Sequence, residues 1–321
     1  MSTHTAPDIA ISASGLTRYF GSKPIVRQCS FAIPRGTVTG LLGLNGTGKT
    51  TTIRMIMGFL PPTRGSSSIL GVDSQSLTAA DRMRIGYTVE GHFLYGWMRV
   101  EECERFQSGS FAKWDGKQFR ETIERFGIQP KARVSHLSRG QRAGVSLALT
   151  LCTYPEVLVL DDPALGLDPV SRQALNETIL EFVESGDRTV LLSSHLLDDV
   201  ERIADRIMIM LDGRLMVDTT ILGLLSRLST CTFEMDEDTT QLSAIPGLIH
   251  ARRIGRRWTI SILDKNSETD AALSRLGCET FDCSQTAFND AVMAYLSRSR
   301  GSKSFLFNTS TTSTSLQGIQ Q

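Results

Sequence analysis

The sequence predicts an α/β fold, a mostly parallel sheet between helices, followed by a smaller α+β domain. Several short segments are apolar at every position, which is typical of strands covered on both faces in a parallel sheet. Helical patterns with one apolar face lie between those segments. After residue 219 short strand candidates alternate with helices, and this change of pattern indicates a second, smaller unit.

The segments with continuous apolarity predict the strands of one buried sheet. Between them, residues 171–186 repeat apolar side chains on one helical face, and Gly186 is a natural end for that helix. Residues 212–220 predict a turn and an edge strand. The strand candidates are TGLLGL (39–44), VLVLD (157–161), TVLLSS (189–194) and RIMIML (206–211).

The predicted domain boundaries follow these changes of pattern. Residues 1–8 are interpreted as an N-terminal extension, 9–219 as the α/β domain and 220–298 as the small α+β domain. Residues 299–321 are rich in Ser, Thr and Gln, a composition that predicts a disordered tail.

Composition and charge argue against several classes of protein. The formal net charge is zero, because 34 Lys and Arg residues balance 34 Asp and Glu residues, so no general attraction to nucleic acid or anionic lipid is expected. The N-terminus does not resemble a signal peptide, and no segment has the ~18 apolar residues of a membrane-spanning helix. The six scattered cysteines are interpreted as reduced thiols in a reducing compartment.

The stretch GLNGTGKTT, residues 43–51, fits the pattern G-x-x-x-x-G-K-[ST] and lies between a strand candidate and a helical pattern. Its glycines let the backbone N–H groups form a concavity for phosphate oxygens at a helix N-terminus. The alternative is a Gly-rich turn before a helix, but the order of strand, loop and helix favours a nucleotide site. The loop residues are Gly43, Leu44, Asn45, Gly46, Thr47, Gly48, Lys49, Thr50 and Thr51.

Three residues of this region predict the chemistry of a nucleotide with Mg²⁺. Lys49 can reach the β- and γ-phosphates, and the Thr50 hydroxyl can ligate the metal. Asp161 ends the strand VLVLD and approaches the same ion from a neighbouring strand. Alone, such an Asp is more often a helix cap or a turn residue, so this interpretation depends on the loop.

The segment HLSRGQ, residues 136–141, resembles the signature of the ABC-family ATPases, whose usual form is LSGGQ, with Arg139 in place of the first Gly. The resemblance covers about residues 10–218 and implies a P-loop NTPase ABC ATPase domain with an antiparallel β edge and a helical signature subdomain. Other family elements follow in the family's order: LTRYFG (16–21), IGYTVE (85–90), ALGLDP (164–169) and SSH (193–195).

The resemblance implies a role for each matching residue, with ATP and Mg²⁺ as ligands. Phe20 or Tyr19 would stack on adenine. Glu90 replaces the family's glutamine and would ligate Mg²⁺ or position water. The alternative is that Glu90 is a solvent-exposed acidic residue with no role in the site. His195 would contact the γ-phosphate as a neutral imidazole at a helix N-terminus.

The signature residues would act on the nucleotide of the opposite subunit. Because one chain carries one phosphate loop and one signature, a complete site requires two chains, either a homodimer or a heterodimer with a related ATPase. The residues implied across that interface are Ser138, Arg139, Gly140 and Gln141 of the signature and Asp168 of the D-loop.

Asp162 stands where most relatives have Glu, which polarises the attacking water. Asp lacks one methylene, so its carboxylate is short by ~1.5 Å, and a misplacement of ~1 Å can lower a rate ~10²-fold. We therefore expect normal ATP binding and dimer closure but slow hydrolysis. The alternative is that Asp162 is a fully effective base, because loop geometry is not visible in a sequence.

The segment GHFLYGWMRVEE, residues 91–102, is either local core or an exposed apolar patch for a partner helix. By resemblance this region receives the coupling helix of a separate polytopic membrane permease. The single ATPase domain, Glu90 and the small C-terminal domain resemble the ATP-binding subunits of ABC-2-type exporters. This resemblance places the chain in the cytoplasm, peripheral on the cytoplasmic face of the cell membrane.

A soluble, non-transport ABC ATPase acting on nucleic acid or ribosomes is the second hypothesis. It comes from ARRIGRRW, residues 251–258, where four arginines beside Trp258 resemble a phosphate-and-base platform. A two-strand turn with a solvated basic face is the favoured interpretation. Translation-type relatives normally carry two ATPase domains, and only one is found here, so no nucleic-acid partner is expected.

Overall fold

The computed structural model of the protein describes residues 8–184, 186–235, 242–275 and 281–297. The predicted disordered tail, residues 299–321, lies outside these ranges. Within them, no helix combines the length and apolarity that a membrane crossing requires.

The chain divides into two compact units. Residues up to 206 form the first unit together with 212–214, and residues 207–211 form the second together with those from 215 onward. The domain boundaries proposed from the sequence, at residues 8, 219 and 298, stay predictions.

The first unit alternates strands with helices. Its strands are β1 (Ile9–Phe20), β2 (Lys23–Pro34), β3 (Val38–Leu42), β4 (Arg64–Ile69), β5 (Val72–Asp73), β6 (Ile85–Thr88), β7 (Val157–Asp161) and β8 (Thr189–Ser194). Its helices are α1 (Lys49–Ile56), α2 (Ala79–Arg82), α3 (Val100–Ser108), α4 (Gly116–Arg125), α5 (Arg139–Leu151), α6 (Pro169–Glu184) and α7 (Leu197–Ile203).

Strands β3, β8, β7 and β6 lie side by side in that order and run parallel. Every residue of β3, β7 and β8 is buried, as their continuous apolarity predicts. The predicted α/β class is confirmed. Because the carboxyl ends of parallel strands meet at one edge, the residues that follow β3, β7 and β8 lie close together there.

A separate antiparallel sheet has the order β2-β1-β4-β5. Its long β1–β2 hairpin pairs Ile9 with Pro34 at one end and Phe20 with Lys23 at the other. Gly21 makes the connecting turn with φ 59°, a conformation that glycine adopts without strain. The hairpin therefore carries Phe20 at its tip.

Helices α3, α4 and α5 lie between β6 and β7 in the chain and contain the signature segment. Helix α5 packs closely on the end of α4, because a Cβ atom on Gly144 would lie 2.4 Å from Cγ of Phe126. The buried side chains Phe119 and Ile123 of α4 contribute to this helical region. The signature is the start of this helix, α5.

The second unit includes a four-stranded antiparallel sheet, whose strands lie in the order β12 (Leu248–Ile254), β13 (Arg257–Leu263), β11 (Leu228–Glu234) and β14 (Asp282–Gln285). Trp258, Ile260 and Ile262 of one strand and Leu273 of a helix form its core, which is the α+β arrangement that the sequence predicts. The remaining elements of the chain are β9 (Arg206–Leu211), β10 (Arg214–Thr220), α8 (Ile221–Arg227), β11 (Leu228–Glu234), β12 (Leu248–Ile254), β13 (Arg257–Leu263), α9 (Ser267–Arg275), β14 (Asp282–Gln285) and α10 (Phe288–Leu296).

The expectation that all six cysteines are reduced thiols is wrong for this structure. Cys231 of β11 and Cys283 of β14 lie directly opposite each other in antiparallel register and form a disulfide. They are 52 residues apart in the chain, so their spacing in the sequence does not indicate the pair. The other cysteines among the described residues are Cys29, Cys103 and Cys152; all three are buried, and none is in a disulfide.

The basic stretch 251–258 forms the turn between β12 and β13, with Gly255 at φ 61°. Its arginine side chains are exposed, whereas Trp258 has no exposed surface. The interpretation as a two-strand turn agrees with this geometry. The Trp258 ring is packed in the core, so it cannot stack on a nucleic-acid base.

Candidate nucleotide-binding and hydrolysis site

The loop between β3 and α1 has the backbone shape of a phosphate site. Gly46 and Gly48 have φ values of 82° and 104°, the left-handed region that favours glycine. The Thr47 hydroxyl donates to the Leu44 carbonyl at 2.8 Å and stabilises the turn. No side chain caps the N-terminus of α1, so its first N–H groups face the loop and favour an anion.

Lys49 begins α1, and its side chain folds back across the loop. Its Nζ donates to the carbonyl of Gly43 at 2.7 Å and to that of Leu44 at 3.3 Å. Burial lowers the pKa of Lys49, while the charges of Asp162, Asp161 and Glu90 oppose that shift. The ammonium group is therefore buried at the edge of the sheet, in the field of three carboxylates.

Asp161 at the end of β7 has the contacts of a metal ligand. Its Oδ1 accepts hydrogen bonds from the Thr50 hydroxyl at 3.1 Å and the Ser193 hydroxyl at 2.8 Å. Its Oδ2 is buried and has no hydrogen-bond partner among the described residues. Leaving such an oxygen unpaired is costly, and a cation that prefers oxygen ligands would satisfy it.

These donors fit Mg²⁺. Within the described ranges no three His, Cys, Asp or Glu side chains cluster as a metal site. Mg²⁺ does not need such a cage, because it commonly takes one or two protein oxygens, with phosphates and water supplying the rest. The Thr50 hydroxyl and Asp161 Oδ2 are the two protein oxygens placed for it.

Asp162 turns away from Asp161 and faces His195. Its backbone φ is 49°, unusual for a residue other than glycine, and its N–H donates to the Ser193 hydroxyl at 2.9 Å. The Nδ1 atom of His195 lies 2.9 Å from Oδ2 and 3.2 Å from Oδ1 of Asp162. The two residues that the sequence places 33 positions apart are thus one hydrogen-bonded pair.

Ser193 is a site residue that the sequence reasoning missed. Its hydroxyl donates to Asp161 and accepts from the N–H of Asp162, so it sets the spacing between the two acids. Ser193 has no exposed surface. Its signal in the sequence was weak, a serine at the end of an otherwise apolar strand. Only the register that pairs Asp161 with Ser193 reveals its role.

These residues line a cleft of about 480 Å³. Of the two aromatic candidates, Phe20 lines the cleft and Tyr19 is not among its lining residues. Glu90, exposed in the turn after β6, also lines it. The lining residues are Phe20, Lys23, Ile25, Asn45, Gly46, Gly48, Lys49, Thr50, Thr51, Glu90, Asp161, Asp162, Leu165 and Ser193.

Comparison with known proteins decides the family. A family model described as ABC transporter matches residues 26–165. The linearmycin resistance ATP-binding protein LnrL of Bacillus subtilis is 32% identical over 223 residues, which cover 68% of this chain and 71% of the relative. This chain belongs to the ABC transporter family of ATPases.

Other relatives of this ABC ATPase are named as ATP-binding proteins, one of export and one of a multidrug ABC transporter. The Nod factor export ATP-binding protein I of Rhizobium meliloti is 34% identical over 217 residues, 66% of this chain and 64% of the relative. The probable multidrug ABC transporter ATP-binding protein YbhF of Escherichia coli is 34% identical over 223 residues, 67% of this chain and 38% of the relative. The chain thus matches less than two thirds of the length of either protein.

Solved structures agree on the fold of the ABC ATPase. An ATP-binding subunit of an ABC transporter has a TM-score of 0.61 and 27% identity, covering 68% of this chain and 92% of that one. An ATP-binding cassette solved as a dimer in a post-hydrolysis state, with ADP and Pi, has a TM-score of 0.58 and 20% identity. It covers 65% of this chain and 98% of its own.

The ABC signature lies outside the cleft of its own chain. Ser138 is the exposed N-cap of α5, and its hydroxyl accepts from the N–H of Gln141 at 3.1 Å. In return, the Gln141 side chain accepts from the N–H of Ser138, and it donates to the carbonyl of Gly127 at 3.2 Å. None of the four signature residues, 138–141, lines the cleft.

The signature of the ABC ATPase packs tightly against its D-loop. A Cβ on Gly140 would lie 2.0 Å from the hydroxyl of Ser171, and a Cβ on Gly166 would lie 2.8 Å from Nη1 of Arg139. Asp168 accepts from the N–H and hydroxyl of Ser171, and these bonds lower the pKa of Asp168. Arg139, which replaces the usual glycine, therefore lies along the D-loop of its own chain.

Proposed function

We propose that the protein binds and hydrolyses ATP as the nucleotide-binding subunit of an ABC-2-type exporter. It works as a homodimer, or as a heterodimer with a related ATPase, on the cytoplasmic face of the cell membrane beside a separate polytopic permease. The observation that supports this most is the Asp162–His195 pair next to the phosphate loop, since it offers a base and its partner beside a nucleotide site.

Binding uses the groups at the carboxyl edge of the sheet. The N–H groups of the loop and of the N-terminus of α1 bind phosphate oxygens. When ATP binds, the Lys49 ammonium group exchanges its hydrogen bonds to the loop carbonyls for hydrogen bonds to the β- and γ-phosphates. The Phe20 ring stacks on adenine. Thr50 and Asp161 hold Mg²⁺, which neutralises developing negative charge on the phosphates. Glu90 completes the polar wall of the cleft.

Hydrolysis requires a water oriented toward the γ-phosphate. Asp162 accepts a hydrogen bond from that water, and His195 holds the carboxylate in place. A carboxylate oxygen accepts, so Nδ1 of His195 donates to Asp162, and Nε2 is the ring nitrogen not used in this bond. Asp162 is one methylene shorter than the usual Glu, and we expect slow turnover with normal ATP binding.

The position of the signature supports the dimer. Ser138 is exposed and does not line the cleft of its own chain, and in the proposed dimer each chain supplies its signature to the nucleotide of the other. The test is Asp162→Asn, which should slow hydrolysis strongly and leave a residual rate, with Mg-ATP in analytical ultracentrifugation. We expect the mass of a dimer. Lys49→Ala is the control and should stay monomeric; a monomeric Asp162→Asn protein would overturn the dimer.

The membrane partner is proposed from an aromatic patch, defined as Phe93, Tyr95 and Trp97. These side chains are 83%, 62% and 70% exposed, and the rings of Tyr95 and Trp97 lie 5.9 Å apart. Met98, from the same segment, is buried. Three neighbouring exposed aromatic side chains are typical of a binding surface.

The decisive experiment is purification of the tagged protein from detergent-solubilised membranes. We expect a polytopic protein to copurify with wild type and to be lost with Tyr95→Ser and Trp97→Ser combined. Leu222→Ser, at an apolar residue that is 80% exposed elsewhere, is the control and should retain the partner. Copurifying nucleic acid instead would favour the soluble ATPase hypothesis, which has lost its supporting feature because Trp258 is buried.

A further inference from the structure

His92 links the segment that carries the aromatic patch to the hydrolysis site. It lies between Glu90 and Phe93, which are both exposed, but its own side chain is only 7% exposed. Its Nε2 lies 3.2 Å from the carbonyl oxygen of Pro163. The imidazole therefore points inward, toward the residue that directly follows Asp162.

The hydrogen bond has one direction. A carbonyl oxygen only accepts, so Nε2 is the donor. The other ring nitrogen, Nδ1, is buried and has no partner among the described residues. The bond to Pro163 is thus the polar contact that orients this ring.

The contact matters because the backbone at Asp162 is unusual. Its φ of 49° costs energy for a residue with a side chain, and such conformations persist where the surroundings hold them. Ser193 holds the N–H of Asp162, and His195 holds its carboxylate. His92 holds the next carbonyl, that of Pro163, and so restrains the far side of the same turn.

We propose that His92 is a positioning residue for Asp162. Through His92, the segment that carries the aromatic patch controls the position of the Asp162 carboxylate. The inference rests on the proposed role of Asp162 in hydrolysis. Proline fixes its own φ and leaves ψ as the one soft dihedral between its ring and its carbonyl, so displacement of the Pro163 carbonyl is absorbed only in part within the proline and the rest is passed to the peptide of Asp162. A partner that shifts residues 90–97 would then change the rate at Asp162 without touching the nucleotide.

The first test compares variants of the full-length protein in Mg-ATP turnover. His92→Phe keeps an aromatic ring but removes the donor, and we expect kcat to fall ~10-fold or more while the KM for ATP changes less than about twofold. His92→Gln restores an amide donor at a similar distance and should recover most of the rate. Should His92→Phe fail to fold, His92→Leu removes the same donor with a smaller side chain.

A double-variant cycle separates positioning from general damage. If His92 acts only through Asp162, adding His92→Phe to Asp162→Asn should cause no further loss in single-turnover hydrolysis. A further loss of similar size, or a wild-type kcat in His92→Phe, overturns the positioning role. Wild-type turnover in Asp162→Asn overturns the proposed hydrolytic role itself, so the two failures are distinguishable.

Discussion

His195 Nδ1 lies 2.9 Å from Oδ2 of Asp162 and 3.2 Å from Oδ1, so the imidazole faces both oxygens of the carboxylate. The two residues follow the ends of β7 and β8, which are neighbouring parallel strands. The position of the proposed hydrolytic carboxylate of Asp162 therefore depends on the register of β7 and β8 as well as on the Asp162 side chain.

Replacing His195 should stop hydrolysis while leaving ATP binding intact. His195→Ala removes the group that orients the Asp162 carboxylate, and we expect turnover to fall ~10²-fold. Fluorescent ATP-analogue binding should change less than about threefold, because the phosphate loop is untouched. His195→Gln should keep part of the rate through its amide. An alanine variant with more than half of wild-type phosphate release would contradict a catalytic role for the pair.

Lengthening Asp162 should raise turnover. Asp162→Glu extends the carboxylate by one methylene, ~1.5 Å, and we expect a rate increase of up to ~10²-fold in a phosphate-release assay. Asp161→Glu is the matched control, and it should lower the rate because it displaces a proposed metal ligand. An unchanged or lower rate in Asp162→Glu would show that the carboxylate of Asp162 is already long enough to contact the attacking water.

Gly140→Ala should destabilise the first unit. The new Cβ would lie 2.0 Å from the Ser171 hydroxyl and 2.5 Å from its Cβ, so α5 and the start of α6 must separate. Overpacking of this kind costs about 1–3 kcal/mol in the free energy of unfolding, measured by urea denaturation. Gly109→Ala is the control, since its Cβ would meet nothing closer than 3.6 Å. Equal stability of the two variants would refute this packing.

Glu156 should contribute stability that depends on pH. The Arg84 guanidinium donates to it at 2.5 Å and 2.9 Å, and this bond, aided by Arg35, lowers the pKa of Glu156 below its ordinary 4.5. A lowered folded-state pKa stabilises the protein above about pH 4.5, and that contribution is lost as the pH falls through the folded value.

The measurement is thermal unfolding of Glu156→Gln and wild type between pH 3 and pH 7. We expect Glu156→Gln to be less stable by about 1 kcal/mol or less at neutral pH, because the side chain is 38% exposed and solvent screens the pair. The difference should shrink below about pH 4. Glu121→Gln, at an exposed helical pair with Lys117, is the control. A difference that grows toward acid pH would contradict the assignment.

Several features were predictable because they depend on short, local patterns. The strands β7 and β8 have the bounds of the runs predicted for them, since a strand buried on both faces has no exposed position. The phosphate loop was predictable because its glycines and Lys49 act within nine residues. Family membership followed from the order of such motifs along the chain.

Other features needed the fold. The sequence did not distinguish Phe20 from Tyr19, and only the hairpin tip brings Phe20 to the cleft. It did not tell whether residues 91–98 were core or surface, and the fold exposes Trp97 while burying Met98. The disulfide between Cys231 and Cys283 depends on the pairing of strands 52 residues apart.

The sequence by itself determined the family and the candidates for most of the proposed chemistry, because a phosphate-binding loop, a carboxylate at a strand end and an apolar strand each have a local signature. Tertiary structure alone decided which of them meet. Ser193 reaches Asp161, His195 faces Asp162 and His92 holds Pro163 through strand register and the folding back of a loop. Such contacts join residues 32 to 71 positions apart, and side-chain spacing along a chain carries no direct information about distances of that kind.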